Sequence, residues 1–341
     1  MNPMAQLSVF VPDLFAQLFA ETGGAIDAAR WPALALLLRR ADERPLDTTP
    51  LEHTLMTLCG VRAEDVSQMP VAALTTVIDQ NKGAEIDIMR ADPVHLRADP
   101  NQILLFDDPS IMPSATEADA LIEALNAGLS DVRLSRGRHP ARWYIHSAHA
   151  LDTTTHSPRR ANGHSIAEFL PRGAGAHALA QLTNDAQMIL HDTAVNLARE
   201  ARGVSPINSI WCWGGGHAHD VAVSAPDFVV GDDVLTAALA RRFNFEWCAE
   251  LEPDEVIARL KQQNHRGVVV IGAPTGGIDT IAPTADIDAF EQRWCRVLLR
   301  ALRRFRLQSL RLVTDRHAYW LTPRSLFKVW RRPFVMTENG A

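Results

Sequence analysis

The chain has 341 residues, 47% of them hydrophobic and 22% charged. That is enough to bury one large core or two modest ones, and it excludes disordered and fibrous classes. The formal net charge of −6 is uneven: Arg293 to Arg332 holds twelve Lys or Arg against the single acid Asp315, +11 locally, so the rest carries −17.

No apolar run approaches the roughly 20 residues a membrane helix needs, and the N-terminus lacks a basic n-region and a small-residue cleavage site. Cys59, Cys212, Cys248 and Cys295 form no C-x-x-C pair. The expectation is a soluble cytoplasmic protein with reduced thiols and no membrane contact.

In chain order, Leu7 to Val11 reads as a strand stopping at Pro12-Asp13, with Asp13 as N-cap of a helix over Leu14 to Ala20. Thr49-Pro50-Leu51-Glu52 has the pattern of a capping box with proline at the first helical position. Ser114-Ala115-Thr116-Glu117 repeats the box before a helix through Leu129. Ile103 to Phe106 and Trp143 to Ile145 read as strands. His177 to Arg202 keeps helical spacing and Gly203 ends it. Ile207 to Trp213 is a strand rich in β-branched and aromatic residues, closed by Gly214-Gly215-Gly216.

Phe228 to Val230 follows as a strand, with helices from about Asp233 and over Pro253 to Gln263. Val268 to Ile271 is apolar throughout, as a strand covered on both faces is. A helical stripe from Ile287 to Phe305 leads to a strand over Leu310 to Val313. This β-α-β order implies parallel strands, whose ligands bind beyond their carboxyl ends. Pro12-Asp13, Gly214 to Asp220 and Thr314 to His317 are the segments expected there.

Four constellations carry chemistry. Gly214 to Gly216 would let backbone amides approach a phosphate, or simply allow a tight turn between core elements. His217, His219 and Asp220 have zinc-ligand character in a short run, or form a polar loop. Asn184, Gln187 and His191, spaced i, i+3, i+7, align hydrogen-bonding groups on one helix face. They point to a buried network or a ligand, against a solvated stripe. Asp315-Arg316-His317 closes a strand with a carboxylate, a guanidinium and an imidazole, suited to a metal or phosphate, or to an ordinary turn. The basic 293–332 segment attracts an anionic partner or is a solvated helix face.

These segments resemble a known family. Ile207 to Gly216, including Asn208, resembles the Ala-Asn-x-Ile-x-Leu-x-Gly-x-Gly stretch of archaeal-type cofactor-independent phosphoglycerate mutases. His191, Val195-Asn196 and Arg199 resemble their His-Pro-x-Asn-x-x-Arg run, and Val268 to Pro274 with Leu312 to His317 resembles their final strand, helix and Asp-His turn. Closer is a group of bacterial proteins described as mutase-like or as regulators of pathogenicity factors. Its hallmarks here are Ala91 to Leu96, Asn184 with Gln187-Met188, and Trp211-Cys212-Trp213-Gly214-Gly215-Gly216. The resemblance covers about 90–216 well and 266–320 more loosely.

The resemblance implies an α/β fold of the alkaline-phosphatase type: a parallel or mixed sheet flanked by helices, formed by 1–85 and 201–341, with an inserted α/β domain at 86–200. In active relatives two metal ions held by Asp and His activate a phosphoryl-carrying serine. This chain departs from that set. Pro12-Asp13-Leu14 replaces an Asp-Gly, Ala273 to Asp279 replaces an Ala-Pro-Asp-x-x-Gly-His run with Thr275 and Asp279 at its Asp and His, and Arg316 is inserted in the Asp-His turn.

Asp13, Asp315 and His317 survive as a partial ligand set, with manganese or zinc as the candidate ions and no cofactor firmly implied. The expectation is a degenerate, non-catalytic protein binding an anionic small molecule or a protein partner in a regulatory role, through Asn184, Gln187, His191, Asn208, Gly214, Gly215, Gly216 and Arg316. The alternatives are a metal-dependent phosphoryl-transfer enzyme or hydrolase using His217, His219 and Asp220, and a binder of acidic protein through 293–332, nucleic acid being the less favoured occupant.

Overall fold

The computed structural model describes residues 5–12, 14–46, 50–62, 70–81, 88–106, 111–147, 153–216, 224–263, 265–272 and 286–334. In chain order the strands are β1 (Gln6–Phe10), β2 (Asp42–Pro45), β3 (Ile88–Asp99), β4 (Gln102–Phe106), β5 (Val132–Arg136), β6 (Trp143–Ser147), β7 (Ser209–Trp213), β8 (Phe228–Val230), β9 (Glu246–Cys248), β10 (Arg266–Val270), β11 (Ser309–Val313) and β12 (His317–Leu321). The helices are α1 (Leu14–Thr22), α2 (Pro32–Arg40), α3 (Leu51–Leu58), α4 (Val71–Asp79), α5 (Ala115–Gly128), α6 (Pro158–Ala161), α7 (Ala176–His191), α8 (Ala194–Ala201), α9 (Val234–Phe243), α10 (Pro253–Gln263), α11 (Ile287–Ala289) and α12 (Arg296–Arg303). A π-helical stretch, Phe290–Cys295, joins the last two.

The chain divides into two compact units: Met1–Val66 with Val221–Gly277 and Ala282–Ala341, and Ser67–Asp220 with Ile278–Ile281. The changeovers fall at 66/67 and 220/221, where the resemblance implied 85/86 and 200/201.

The first unit holds a seven-stranded sheet in the order β2-β12-β11-β1-β10-β8-β9. β11, β1, β10, β8 and β9 run parallel, and β12 and β2 add antiparallel neighbours at one edge, so the sheet is mixed. Val268 to Val270 are buried, as an apolar run flanked by strands on both sides must be. On α12, Leu298, Leu299, Ala301 and Leu302 are buried while Arg296, Arg300 and Arg303 face solvent, which explains the regular interleaving of arginine with apolar residues.

The start of α2 shows how this unit closes. Pro32 suits a first helical turn, but the preceding Trp31 caps nothing with its side chain. Glu291 does so from far along the chain: Oε1 accepts from Ala33 N at 3.0 Å and Oε2 from Leu34 N at 2.7 Å. The carboxylate is buried, so it satisfies two orphan amides and meets the positive end of the helix.

The second unit holds an antiparallel sheet ordered β4-β3-β6-β5, with β7 also on β3. β3 is twelve residues long. Its first part lies between β6 and β7, and its last part pairs with β4.

Several expectations change here. β7 pairs with β3 and not with the parallel sheet, so the strands before Gly214 and Thr314 belong to different sheets. The argument that both segments emerge at one carboxyl edge therefore fails. The helix expected over 177–202 is two helices, because Asp192 and Thr193 leave the helical path and the Thr193 hydroxyl caps α8. Pro50 is the N-cap of α3 and offers no side-chain cap; Thr49 lies outside the described residues. The Ser114 box forms as read, with Ser114 and Glu117 each accepting from the other's amide.

Replacing Glu291 by Ala should cost about 2 kcal/mol, the scale of hydrogen bonds to a charged group. Urea unfolding of the two proteins checks this, and an unchanged midpoint would assign the cap no role.

Candidate functional site

The second unit contains a cavity of about 770 Å³. β7 and the residue before it supply one wall: Asn208, Ile210 and Cys212 alternate onto the same face of the extended chain. α7 supplies another through Thr183, Asn184, Gln187, Met188 and His191, whose three- and four-residue spacing keeps them on one stripe. Leu96 of β3, Ile103 of β4 and Leu170 complete the apolar lining. Met188 is 75% exposed, at the rim.

The polar groups have distinct tasks. Asn208 Oδ1 accepts from Leu96 N at 2.7 Å and its Nδ2 donates to Leu96 O at 2.8 Å, so this amide extends the strand pairing. Gln187 Nε2 donates to Ser209 Oγ at 3.4 Å. Asn184 and His191 are exposed and make no side-chain hydrogen bond among the described residues. Asn196, read with this helix, is buried and structural, bonded to Leu190 O and to the backbone of Ile207. Burial and nearby Asp92 push the Cys212 thiol up to about 12, so at neutral pH it is an inert apolar wall.

The structure thus gathers Asn184, Gln187, His191 and Asn208 around one space. Gly214 to Gly216 do not line it. Gly214 is left-handed at φ 65°, its N–H donates to Thr155 Oγ1 at 3.2 Å, and its carbonyl accepts from Ala72 N. A Cβ there would sit 3.1 Å from Val71 Cβ, and one on Gly215 would sit 2.7 Å from Met89 Cγ. Turn geometry and close packing therefore explain these two glycines.

Asp315, Arg316 and His317 lie in the first unit, in a tight hairpin between β11 and β12. Thr314 N donates to His317 O at 2.9 Å, and Thr314 Oγ1 accepts from His317 N at 3.1 Å. His317 Nε2 is 3.6 Å from Glu43 Oε1, and its ring packs against Phe15 and Tyr319. Tyr319 donates to the same Glu43 oxygen at 3.1 Å. Burial and Glu43 raise that phenol well above its ordinary range, keeping it a neutral donor.

Asp13, His217, His219 and Asp220 lie outside the described residues. Among the described residues no three His, Cys, Asp or Glu side chains form a group able to hold a metal. Asp315 and His317 lie in one hairpin with Arg316 between them; His317 Nε2 faces Glu43, and its Nδ1 is buried with no hydrogen-bond partner among the described residues.

The sequence reading missed a buried ionic network in the second unit. Arg90 and Asp92 alternate onto one face of β3, and Arg90 Nη2 meets both Asp92 oxygens at 2.7 and 2.8 Å. Trp213 Nε1 donates to Asp92 Oδ2 at 2.7 Å, and the Arg90 guanidinium lies over the Trp213 and Tyr144 rings. Arg142 grips Asp79 through Nε and Nη2, and the Tyr144 hydroxyl donates to Asp79 as well. The signal was present as two opposite charges two residues apart in the otherwise apolar first part of β3, Ile88 to Val94.

The comparisons with known proteins bear on this geometry. No family model matches the chain. The 2,3-bisphosphoglycerate-independent phosphoglycerate mutase of Methanosarcina barkeri is 36% identical over 110 residues, 31% of this chain and 27% of that enzyme. A probable enzyme of the same kind from Geobacter sulfurreducens is 38% identical over 80 residues, 24% of this chain and 20% of its own. The chain is similar to the cofactor-independent phosphoglycerate mutases. It spans about a quarter of the length of the curated relatives it matches.

Among solved structures, the PH0037 protein of Pyrococcus horikoshii superposes with a TM-score of 0.50 at 10% identity, over 94% of this chain and 88% of that one, a likeness of fold alone. The Thermoplasma acidophilum cofactor-independent mutase, 14% identical, reaches a TM-score of 0.41 over 98% of this chain and 93% of that one, too low to carry an argument.

Asp79 gives the network a pH signature. Burial raises its carboxyl, but Arg142, Tyr144 and Arg90 outweigh burial and hold it below the ordinary 3.8. The stabilisation is complete above that ordinary value and fades as pH falls through the lower native one. Asp79→Asn, which strands Arg142 in the interior, should cost about 3–5 kcal/mol at pH 7. The deficit should shrink on acidification below about pH 4, as read by urea unfolding across pH.

Proposed function

We propose that this chain is a mutase-like protein that has lost phosphoryl transfer and works by binding a small amphipathic molecule in the cavity of its second unit, in a regulatory role. The observation that carries this reading is the convergence of Asn184, Gln187, His191 and Asn208 on one apolar cavity of about 770 Å³. Cavities of roughly 300–1,000 Å³ with mainly apolar walls and a few polar groups suit small ligands. The amides of Asn184 and Gln187 and the imidazole of His191 offer donors along one side, matching a carboxylate-type head. Leu96, Ile103, Leu170 and Ile210 suit an apolar body.

Loss of transfer chemistry is supported by Thr275 and Asp279 at positions where the resemblance implies Asp and His, and by the use of His317 inside an aromatic cluster facing Glu43.

Two measurements test the proposal. Purified protein supplied with manganese should show no phosphoglycerate mutase turnover, and a rate in the ordinary range of about 1–10³ per second would overturn the non-catalytic reading. Anilinonaphthalene sulfonate, an amphipathic anion, should bind one-to-one to the folded protein. Asn184→Ala with His191→Ala should weaken it about tenfold, the scale of one lost hydrogen bond to a charged group, while the melting temperature holds. Undiminished dye binding by the double variant would remove the cavity from the proposal.

A further inference from the structure

The basic segment plays no part in the cavity, and ten of its twelve basic side chains fall into two sets. Arg293 bonds Glu250 and Glu252, Arg296 approaches Glu291, and Lys328 and Arg331 both hold Asp42. Arg300, Arg303, Arg304, Arg306, Arg324 and Arg332 are exposed and make no ion pair among the described residues. The same stretch exposes Phe305 (65%), Phe327, Val329 and Trp330 (76%). Unpaired arginines and exposed aromatics on one segment are what a solvated helix face lacks.

Phe305 is the most unusual of these residues. It follows the end of α12 with φ 53°, the left-handed position that glycine or asparagine ordinarily fills. Asn244 fills the equivalent place after α9 with the same φ. At α12 the chain instead holds a bulky aromatic there and leaves it outside the core. Phe305 and Phe327 line a hollow of about 320 Å³ together with Leu36, Leu302 and Leu326, with Arg40 and Arg303 also at its wall. Arg40 is buried, and its Nε has no hydrogen-bond acceptor among the described residues.

We infer that this face docks an acidic protein segment, which inserts one bulky apolar side chain between Phe305 and Phe327 and sets its carboxylates on the surrounding arginines. Charge complementarity and the hollow select this occupant. Eleven of the twelve basic residues are arginine, whose planar fork pairs with carboxylates where lysine offers a point charge. The aliphatic floor suits a side chain and offers a nucleobase edge no hydrogen bonds beyond those of the two arginines. A long polyanion would also meet the −17 carried by the rest of the chain, whereas a short acidic segment meets the local +11. An anionic bilayer is flat and would leave the hollow unused. This inference is independent of the cavity reading, which concerns the other unit.

The test is fluorescence anisotropy with a labelled peptide carrying a central leucine–phenylalanine pair between runs of glutamate. Binding should saturate, weaken as salt is raised, and fall at least tenfold when glutamine replaces the glutamates. Phe305→Asn removes one lip of the hollow while supplying a residue suited to the left-handed position. It should weaken binding about tenfold with an unchanged or higher melting temperature. Arg303→Glu with Arg306→Glu should abolish binding. No binding of the acidic peptide, equal binding of its glutamine version, or full binding by Phe305→Asn overturns the inference. Tighter binding of duplex DNA, or of phosphatidylserine vesicles, overturns it as well and assigns the face to that occupant.

Discussion

A charge can be kept in a protein interior only if partners replace the water it has lost, and the second unit is organised by that requirement. Asp79 sits at the end of α4, Arg90 and Asp92 on β3, Arg142 just before β6, Tyr144 on β6 and Trp213 on β7. Each bond among them joins two elements or holds a cation beside an anion on one strand: Arg142 and Tyr144 to Asp79, Trp213 to Asp92, Arg90 to Asp92. A buried pair of this kind contributes less net stability than its Coulomb energy suggests, because desolvation offsets most of it. What it supplies is specificity. A one-residue slip of β7 along β3 would take Trp213 away from Asp92 and leave a carboxylate short of a donor.

That register in turn sets the cavity. With β7 fixed on β3 from Arg90–Trp213 to Val94–Ser209, the alternation of the strand turns Ile210 and Cys212 to the side that α7 covers. Leu179, Ala186 and Leu190 seat α7 on the sheet. The stripe of Asn184, Gln187 and His191 then lies along the cavity, with Met188 at its lip. The ionic network and the cavity thus depend on the same pairing, since Trp213 of β7 bonds Asp92 while Ile210 and Cys212 line the cavity.

The first unit solves a different problem. Its parallel strands bury both faces, so helices must cover them and helix ends must be satisfied inside the protein. Glu291 does this for α2, Asp233 for α9 through Leu235 N and Thr236 N, and Asp286 for α11. Arginine is left for the outer face of α12, where Arg296, Arg300 and Arg303 face water, and the segment that follows adds further exposed arginines and four exposed hydrophobic residues.

The sequence by itself determined whatever depends on neighbours along the chain. Apolar runs and turn residues gave β1, β4, β6, β8, β10 and β11, and helical spacing gave α9, α10, α12 and the polar stripe on α7. The Ser114–Glu117 box could be read because both partners lie within one turn. Tertiary structure decided the rest. β7 is as hydrophobic as a parallel core strand, and nothing local says that it pairs antiparallel with β3. Asp315 and His317 were legible as residues ending a strand, but only the pairing of β11 with β12 shows that they share a hairpin and that His317 faces Glu43. The sequence pattern did not single out Arg90 or Asp79, because the groups that make such burial tolerable lie far along the chain: Asp79 meets Arg142, and Asp92 meets Trp213, 121 residues away. Pairing, burial and charge compensation are properties of residues far apart in sequence, and a pattern confined to one segment carries no record of them.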